Sequence, residues 1–441
     1  MDGLTAARAQ MEVSLGFHMI FAALGIGLPL LMVLAEGLGL RTGREHYRAL
    51  ARKWAKATAL TFAIGAVSGT ALSFELGLLW PRFMAFSGAV VGPAFQLEGY
   101  AFFIEAIFLG LYLYGWDRLS PFQHWLSGIP VAFSGLMSGV LVVAANAWMQ
   151  VPGGFRAEAG TLAAVNPLAP FLTPAWLHMA LHSSLSCYIA TGFAVGGVYA
   201  VGLLKGRRDA YHRSGLGIAL AVGAAAALLQ PLSGDYTARQ TARHQPPKLA
   251  AMEAHFRTSA GAPLLIGGIP DERTGEVRGA IRIPYGLSLL VARSPGAVVP
   301  GLDAVPPELR PPVAVTHLAF DTMVGSAFLL LGAGALYWIL RWRRRDGDRR
   351  WLLRLLVAVS PFGFLALEAG WIVTEVGRQP WVIYEVMRTA DAVTPVPQVR
   401  LTFAMFTLLY LFLGSALVLL LRRLAGTSAA HPEGTEAVHA A

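Results

Sequence analysis

Inside stretches otherwise built of apolar residues the chain carries His18, His178, His182 and His317, Met323, and the carboxylates Glu98, Glu105, Glu368 and Glu375, with Arg378 close behind the last. An ionisable group left unpaired in hydrocarbon costs several kcal/mol, so each of these is a candidate ligand, proton carrier or ion-pair member. Seven residues separate Glu98 from Glu105. That is about two helical turns, which sets both carboxylates on one helix face roughly 10 Å apart. Imidazole and thioether are both metal ligands. The only cysteine, Cys187, lies in an apolar run, which excludes disulfides, thiolate-held iron–sulfur clusters and CxxCH haem attachment and leaves His, Met or carboxylate to hold any cofactor.

The elements that must position these groups follow from hydropathy. A chain that is 55% hydrophobic and 14% charged, with a mean hydropathy of +0.54, is too apolar for an ordinary soluble protein. Nine apolar runs are long enough to span a bilayer: 13–38, 57–80, 93–115, 125–148, 174–204, 213–232, 313–340, 351–376 and 399–421. The expected fold is all-α, a polytopic membrane protein of nine transmembrane helices. The amino-terminal run lacks a basic leader and is long enough to read as a span and not as a cleavable signal.

Basic residues cluster in alternate loops: Arg41, Arg44, Arg48, Arg52, Lys53 and Lys56; then Lys205, Arg207, Arg208 and Arg213; then Arg341, Arg343, Arg344, Arg345, Arg349, Arg350 and Arg354, joined by Arg422 and Arg423 near the end. The positive-inside rule puts these loops in the cytoplasm, the amino terminus outside and the carboxyl terminus inside. The net charge of +9 is therefore a topology signal, and nucleic acid is not an expected partner. Residues 1–232 hold the first six spans and 313–425 the last three. The segment 233–312 is an extracytoplasmic loop whose TARQTARHQPPKLAAMEAHF stretch reads as a Pro-marked loop turning helical near Lys248. Residues 426–441 read as a disordered tail.

With that orientation, His18, Glu98, His182 and Met323 fall within about ten residues of the outer surface, span eight ends there near Glu375, and Glu105 lies deeper. An imidazole and a thioether at similar depth on different helices can serve as the axial pair of a low-spin haem. Each residue also has a packing alternative: a hydrogen-bonding core histidine, a gap-filling methionine, or an interfacial pairing of Glu368 and Glu375 with Arg378. Composition and depth reach as far as a redox or ion-translocating membrane protein.

Ordered motifs narrow this. GRQPW (377–381) follows GWIVTE with Trp371 and Glu375; LEGYAFFIEAIFLGLYLYGWDRL spans 97–119, NAWMQ 146–150, and PPKLAAMEA, GIPD and IPYGLSLLVARS occupy the outer loop. Over nearly the whole chain, to about residue 423, the sequence resembles subunit I of cytochrome bd-type quinol oxidases. The resemblance implies that His182 and Met323 are the axial ligands of a low-spin haem b, with His178 a competing candidate one turn from His182. It implies that His18 holds a high-spin haem and that Glu375 and Glu98 are carboxylates of the paired high-spin site, one haem b and one haem d or third haem b, with Trp371 and Arg378 beside them. Glu105 and Ser138 resemble the proton path toward dioxygen, and Lys248 and Glu253 the quinol-loop pair, where a carboxylate can accept the quinol proton. The family often has an arginine two residues before the axial methionine; here that residue is Asp321, which would lower the low-spin haem's potential unless another cation, such as Arg378, compensates.

The implied activity is a quinol oxidase of the bacterial or archaeal plasma membrane. It would oxidise quinol at the outer face and reduce dioxygen to water with cytoplasmic protons, building proton motive force without pumping. The resemblance also implies a second, similarly sized membrane subunit and allows a single-helix one. The rival within the family is a haem-bearing quinol dehydrogenase or electron conduit that does not reduce oxygen. A proton-coupled transporter would explain the buried carboxylates but not GRQPW.

Overall fold

The computed structural model describes residues 3–158, 161–343, 348–394 and 398–426. Arg344, Arg345 and the expected tail from residue 427 lie outside them. Among the described residues nine helices are long and apolar enough to cross a membrane: α1 (Gly3–Thr42), α2 (Glu45–Leu79), α3 (Pro81–Tyr114), α4 (Pro121–Gln150), α5 (Trp176–Leu204), α6 (Ala210–His244), α7 (Val313–Trp342), α8 (Arg350–Val376) and α9 (Val399–Gly426).

The helices outrun the apolar runs that announced them. Helices α1, α2 and α3 begin at Gly3, Glu45 and Pro81, and α6 continues to His244. Hydropathy ends where polar residues begin, but a helix ends only where its backbone bonding is interrupted. The polar stretch HYRALARKWAK is rich in good helix formers, and both it and SGDYTARQTARH, which holds Gly, Asp and two Thr, stay helical. TARQTARH, expected as loop, is thus the end of α6. The break comes at Gln245, ahead of Pro246 and Pro247, where a short helix Pro246–Met252 starts. These extensions also place His18 and Glu98 well inside α1 and α3, not near their starts. Helix α8 is two segments, Arg350–Val359 and Phe362–Val376, because Pro361 cannot continue the first segment's bonding. Ser360 at the break fills the space over Gly197 of α5, where a Cβ would meet its side chain at 2.5 Å.

Sequential helices pair as antiparallel neighbours, α1 with α2, α3 with α4, α5 with α6 and α7 with α8, while α1 also packs on α4, α5 and α9. The α5–α6 pair approaches closely enough that a Cβ on Gly192 would lie 2.6 Å from Gly223 Cα. The basic loops gather at one end of the bundle. Arg52 pairs with Asp117 (3.7 Å), Arg213 with Asp348 (2.6 Å), His46 bonds Ser214 (3.0 Å), and Lys53 Nζ donates to Ala425 O (3.5 Å). A large apolar cluster around Trp54, Tyr112, Phe193, Tyr199 and Tyr337 fills this half. A second, around Trp80, Phe83 and Trp148, lies towards the other. Residues 245–312 cap that end with short antiparallel pairs, Leu264–Ile266 with Ile281–Ile283 and Ile269–Asp271 with Glu276–Arg278.

Candidate functional site

Between the two apolar clusters, α4, α5, α6, α7 and α8 surround a cleft with about 1300 Å³ of empty space, lined among others by His182, Met323, Gln230, Trp371, Asn146 and Lys248. His182 faces α6. Ser233 Oγ lies 3.2 Å from its Nδ1 and Gln230 Nε2 3.2 Å from its Nε2. Gln230 Oε1 is buried without a partner. Met323 enters from α7 against Gly370 of α8, where a Cβ would sit 2.9 Å from its sulfur; only glycine leaves the thioether this room. His178, the competing imidazole, also lines the cleft, with Nδ1 3.2 Å from Thr237 Oγ1. Trp371 Nε1 is buried and unpartnered.

The GRQPW segment lies behind this cleft, joined to the lining residue Asn146 through Glu375. Arg378 is 2% exposed. Its Nη2 donates to Glu375 Oε2 at 2.6 Å and its Nε to Trp381 O at 3.3 Å, while Nη1 has no partner. Glu375 Oε1 accepts from Asn146 Nδ2 at 2.6 Å. Arg378 therefore pairs with Glu375 and not with Glu368, whose Oε1 is buried and unpartnered. Burial pulls the Arg378 guanidinium below its ordinary pKa, and Glu375 opposes that pull. Lys248, from the short helix of the loop, donates to Gln150 Oε1 (3.0 Å) and Thr374 O (3.1 Å). Its ammonium is pushed down to about 7, by burial first and the Arg378 charge second. One lysine thus ties the 245–312 loop to α4 and α8.

Glu253 closes the same short helix. It is 2% exposed, neither carboxyl oxygen has a partner, and burial, with Asp321 second, pushes its pKa up to about 8. The basic side chain beside Asp321 is not Arg378 but His317, whose Nε2 lies 3.2 Å from Asp321 Oδ2. His317 Nδ1 donates to Met252 O at 2.7 Å, and Nε2 faces Gly267 O at 3.4 Å. Both ring nitrogens therefore face backbone carbonyls of the 245–312 loop. His317 is thereby a clasp on the loop and not a free ligand.

The remaining carboxylates and His18 are held separately. Ser68 gives its one hydroxyl hydrogen to Ile64 O or Gly65 O, so at 2.9 Å its oxygen accepts from His18 Nδ1. That leaves a lone pair on Nε2, the tautomer a metal requires. Gly69 and Gly16 clear space beside His18 and Glu368. Glu98 accepts from Ser138 Oγ at 2.9 Å, whereas Glu105 Oε1 is buried and unpartnered.

Among the described residues no three His, Cys, Asp or Glu side chains converge to hold a bare ion. An imidazole and a thioether facing one cleft fit an iron porphyrin, whose ring supplies the equatorial donors. The unpartnered donor of Trp371, which lines the cleft, fits an acidic group on the porphyrin edge.

Comparison with known proteins identifies the family and the fold. The family model described as cytochrome bd terminal oxidase subunit I matches residues 6–429. The chain belongs to the cytochrome bd oxidase subunit I family. It is 38% identical to a putative cytochrome bd menaquinol oxidase subunit I of Bacillus subtilis (strain 168), over 96% of each chain. It is 34% identical to a cytochrome bd ubiquinol oxidase subunit 1 of the same organism, over 96% of this chain and 93% of that one. The solved bd oxidase from Geobacillus thermodenitrificans superposes with a TM-score of 0.91 at 38% identity, covering 96% of this chain and 98% of that one. As a cytochrome bd subunit I this is a multi-pass membrane oxidoreductase of the quinol oxidase class, whose family implies haem cofactors, a quinol substrate and a second subunit.

The motif residues Lys248 and Trp371 line one cleft with His182 and Met323, Glu375 and Arg378 stand behind its wall on Asn146, and Glu98 and Glu105 stand apart along the α3–α4 seam. Sequence reasoning missed Gln230 and Ser233, polar residues on α6 at the edge of an apolar run, where spacing from Pro231 gives no cue to what they face. It quoted Asn146 and Gln150 within NAWMQ without a role; they hold Glu375 and Lys248.

Proposed function

We propose that this subunit oxidises quinol at the outer face of the membrane and reduces dioxygen to water with protons drawn from the cytoplasm. The observation that carries this reading is the convergence of His182 and Met323 on one cleft roofed by Lys248 of the outer loop. His182 and Met323 would hold a low-spin haem b, and His18, Glu98 and Glu375 a high-spin haem b with a haem d or third haem b. When bound, these groups supply electron transfer and the binding of dioxygen.

The chain's own residues do the rest. Glu253, buried beside Asp321 with both oxygens free of partners, accepts a quinol proton when ionised and releases it outward. Lys248, fixed by Gln150 and Thr374 O, orients a quinol oxygen. Arg378 and Glu375 neutralise one another, so the buried guanidinium sits beside the cleft without an uncompensated charge. Glu105 and Ser138 pass protons inward. The basic loops face the cytoplasm, the amino terminus lies outside, and net charge is separated because protons leave on one side and enter from the other. A similarly sized membrane subunit, with or without a single-helix one, completes the complex.

The purified complex tests this. Pyridine haemochrome analysis and a carbon monoxide difference spectrum should show three haems, including high-spin haems that bind carbon monoxide. A colourless complex refutes the reading, and a single low-spin haem makes the chain an electron conduit instead. In vesicles supplied with quinol, outward release above one proton per electron refutes the absence of pumping.

A further inference from the structure

At the basic end of the bundle, far from the cleft, three polar side chains from three helices close on one another. His124 Nδ1 of α4 lies 2.6 Å from Glu36 Oε1 of α1, Tyr112 Oη of α3 donates to Glu36 Oε2 at 2.6 Å, and His124 Nε2 lies 2.8 Å from Tyr112 O. All are buried, at 5% (Glu36), 0% (Tyr112) and 2% (His124) exposure. A backbone carbonyl only accepts, so Nε2 must carry a hydrogen. The short contact from Nδ1 to a carboxylate then needs a hydrogen of its own, whichever partner is said to own it. The cluster therefore holds one proton more than a neutral imidazole and a carboxylate would.

Two further features give that proton somewhere to come from and to go. Glu36 and His124 line a pocket of about 690 Å³ of empty space, shared with Arg44, Glu45 and Arg48. Trp116, its ring 4.0 Å from that of His124, carries Arg52 over its face at 4.7 Å; Arg52 in turn pairs with Asp117. Inward, Tyr112, Glu105 and Glu98 recur every seven residues along α3, one helix face in steps of about 10 Å. Helix α4 meets that face closely, through residues small enough to leave its side chains in place. A Cβ on Gly128 would come within 2.9 Å of the Tyr112 ring, one on Gly135 within 3.3 Å of the Glu105 carboxyl group, and Ser138 bonds Glu98. Ser127 and Ser134 lie on the same side of α4, within an arc of about 80° from His124. Glu105, the next acceptor along, has a buried oxygen with no partner.

We infer that Glu36, His124 and Tyr112 form a proton-loading site that draws protons from the basic-end pocket and supplies Glu105 through the α3–α4 seam. This rests on the proposed role of Glu105 as the inward proton carrier. In each cycle the shared proton leaves the Glu36–His124 bond into water in the seam and on to Glu105. The pair is left as carboxylate and neutral imidazole, and a proton from the pocket restores it. A pair serving packing alone gains little, because an apolar replacement of the same volume is often no less stable.

The test uses the complete complex in vesicles, with Glu36→Gln, Glu36→Asp, His124→Gln, Tyr112→Phe and Glu105→Gln variants. Infrared spectra of protein with ring-labelled histidine should show an imidazolium signal that is lost in His124→Gln and in Glu36→Gln. Proton uptake after a dioxygen pulse, followed by a pH-sensitive dye on the basic-loop side, should slow at least about tenfold in both, with haem spectra intact and Glu36→Asp largely restored. Tyr112→Phe, which keeps the ring and loses one bond to Glu36, should shift the pH profile of uptake even if the other variants fail to assemble. Wild-type uptake in Glu36→Gln or an unshifted profile in Tyr112→Phe, with Glu105→Gln slowed, overturns the inference alone. Wild-type uptake in Glu105→Gln as well removes the proton-path reading beneath it.

Discussion

Gly370→Ala tests the placement of Met323 with a single added carbon. The new Cβ would start 2.9 Å from the Met323 sulfur, against an ordinary contact of about 3.5–4.0 Å, so the thioether must retreat by roughly 0.6–1.1 Å. Overpacking of this kind costs about 1–3 kcal/mol, and alanine in place of a helical glycine returns about 1 kcal/mol. The net loss of stability should thus be about 0–2 kcal/mol, too small to unfold the bundle. An iron ligand is less forgiving than a fold, because a misplacement of about 1 Å can cost a hundredfold in function. The assay is a redox titration of the low-spin band, with Gly325→Ala as control: Gly325 is two residues from Met323 on α7 and has nothing within 4 Å of its would-be Cβ. The low-spin potential should fall in Gly370→Ala, since Met/His ligation raises it, and should hold in Gly325→Ala. An unchanged band and potential in Gly370→Ala would refute the axial role of Met323.

Replacing His182 by alanine should abolish the low-spin band, while Ser233→Ala, which removes only the hydroxyl 3.2 Å from Nδ1, should weaken haem retention about 10–100-fold; heme content of the purified variants checks both. Lys248→Met should raise the KM for quinol with haem spectra unchanged, because it frees the short helix from Gln150 and Thr374. The Glu253 carboxyl is pushed up to about 8, so its ionised, proton-accepting form grows as pH rises through 8. Quinol oxidation should climb between about pH 7 and 9 in the native chain and lose that limb in Glu253→Gln. Arg378→Leu leaves the part-buried Glu375 without its cation and should destabilise the complex by about 1–3 kcal/mol, read from thermal release of the cofactors.

The nine helices were legible because lipid demands long apolar runs, and those runs are visible without any knowledge of packing. Their ends were not: TARQTARH is as polar as a loop and is nonetheless the last turns of α6. Residues in the GRQPW and Glu98–Glu105 motifs could be named from their neighbours in sequence. Their partners could not, because Asn146 meets Glu375 across 229 residues and His317 meets Met252 across 65. Asp321 shows the limit most clearly. Sequence flagged its charge and offered Arg378 as the balancing cation, but the fold assigns Arg378 to Glu375 and sets His317, one turn back on the same helix, beside Asp321.

The His317 clasp has a mechanical corollary. One rigid rod, α7, carries both the imidazole that grips Met252 O and Gly267 O of the 245–312 loop and, six residues on, the Met323 thioether. A loop that shifts when a guest docks must either break those two grips or pull the rod with it. Occupancy at the surface would then be felt as tension on the sulfur about 9 Å further along the axis.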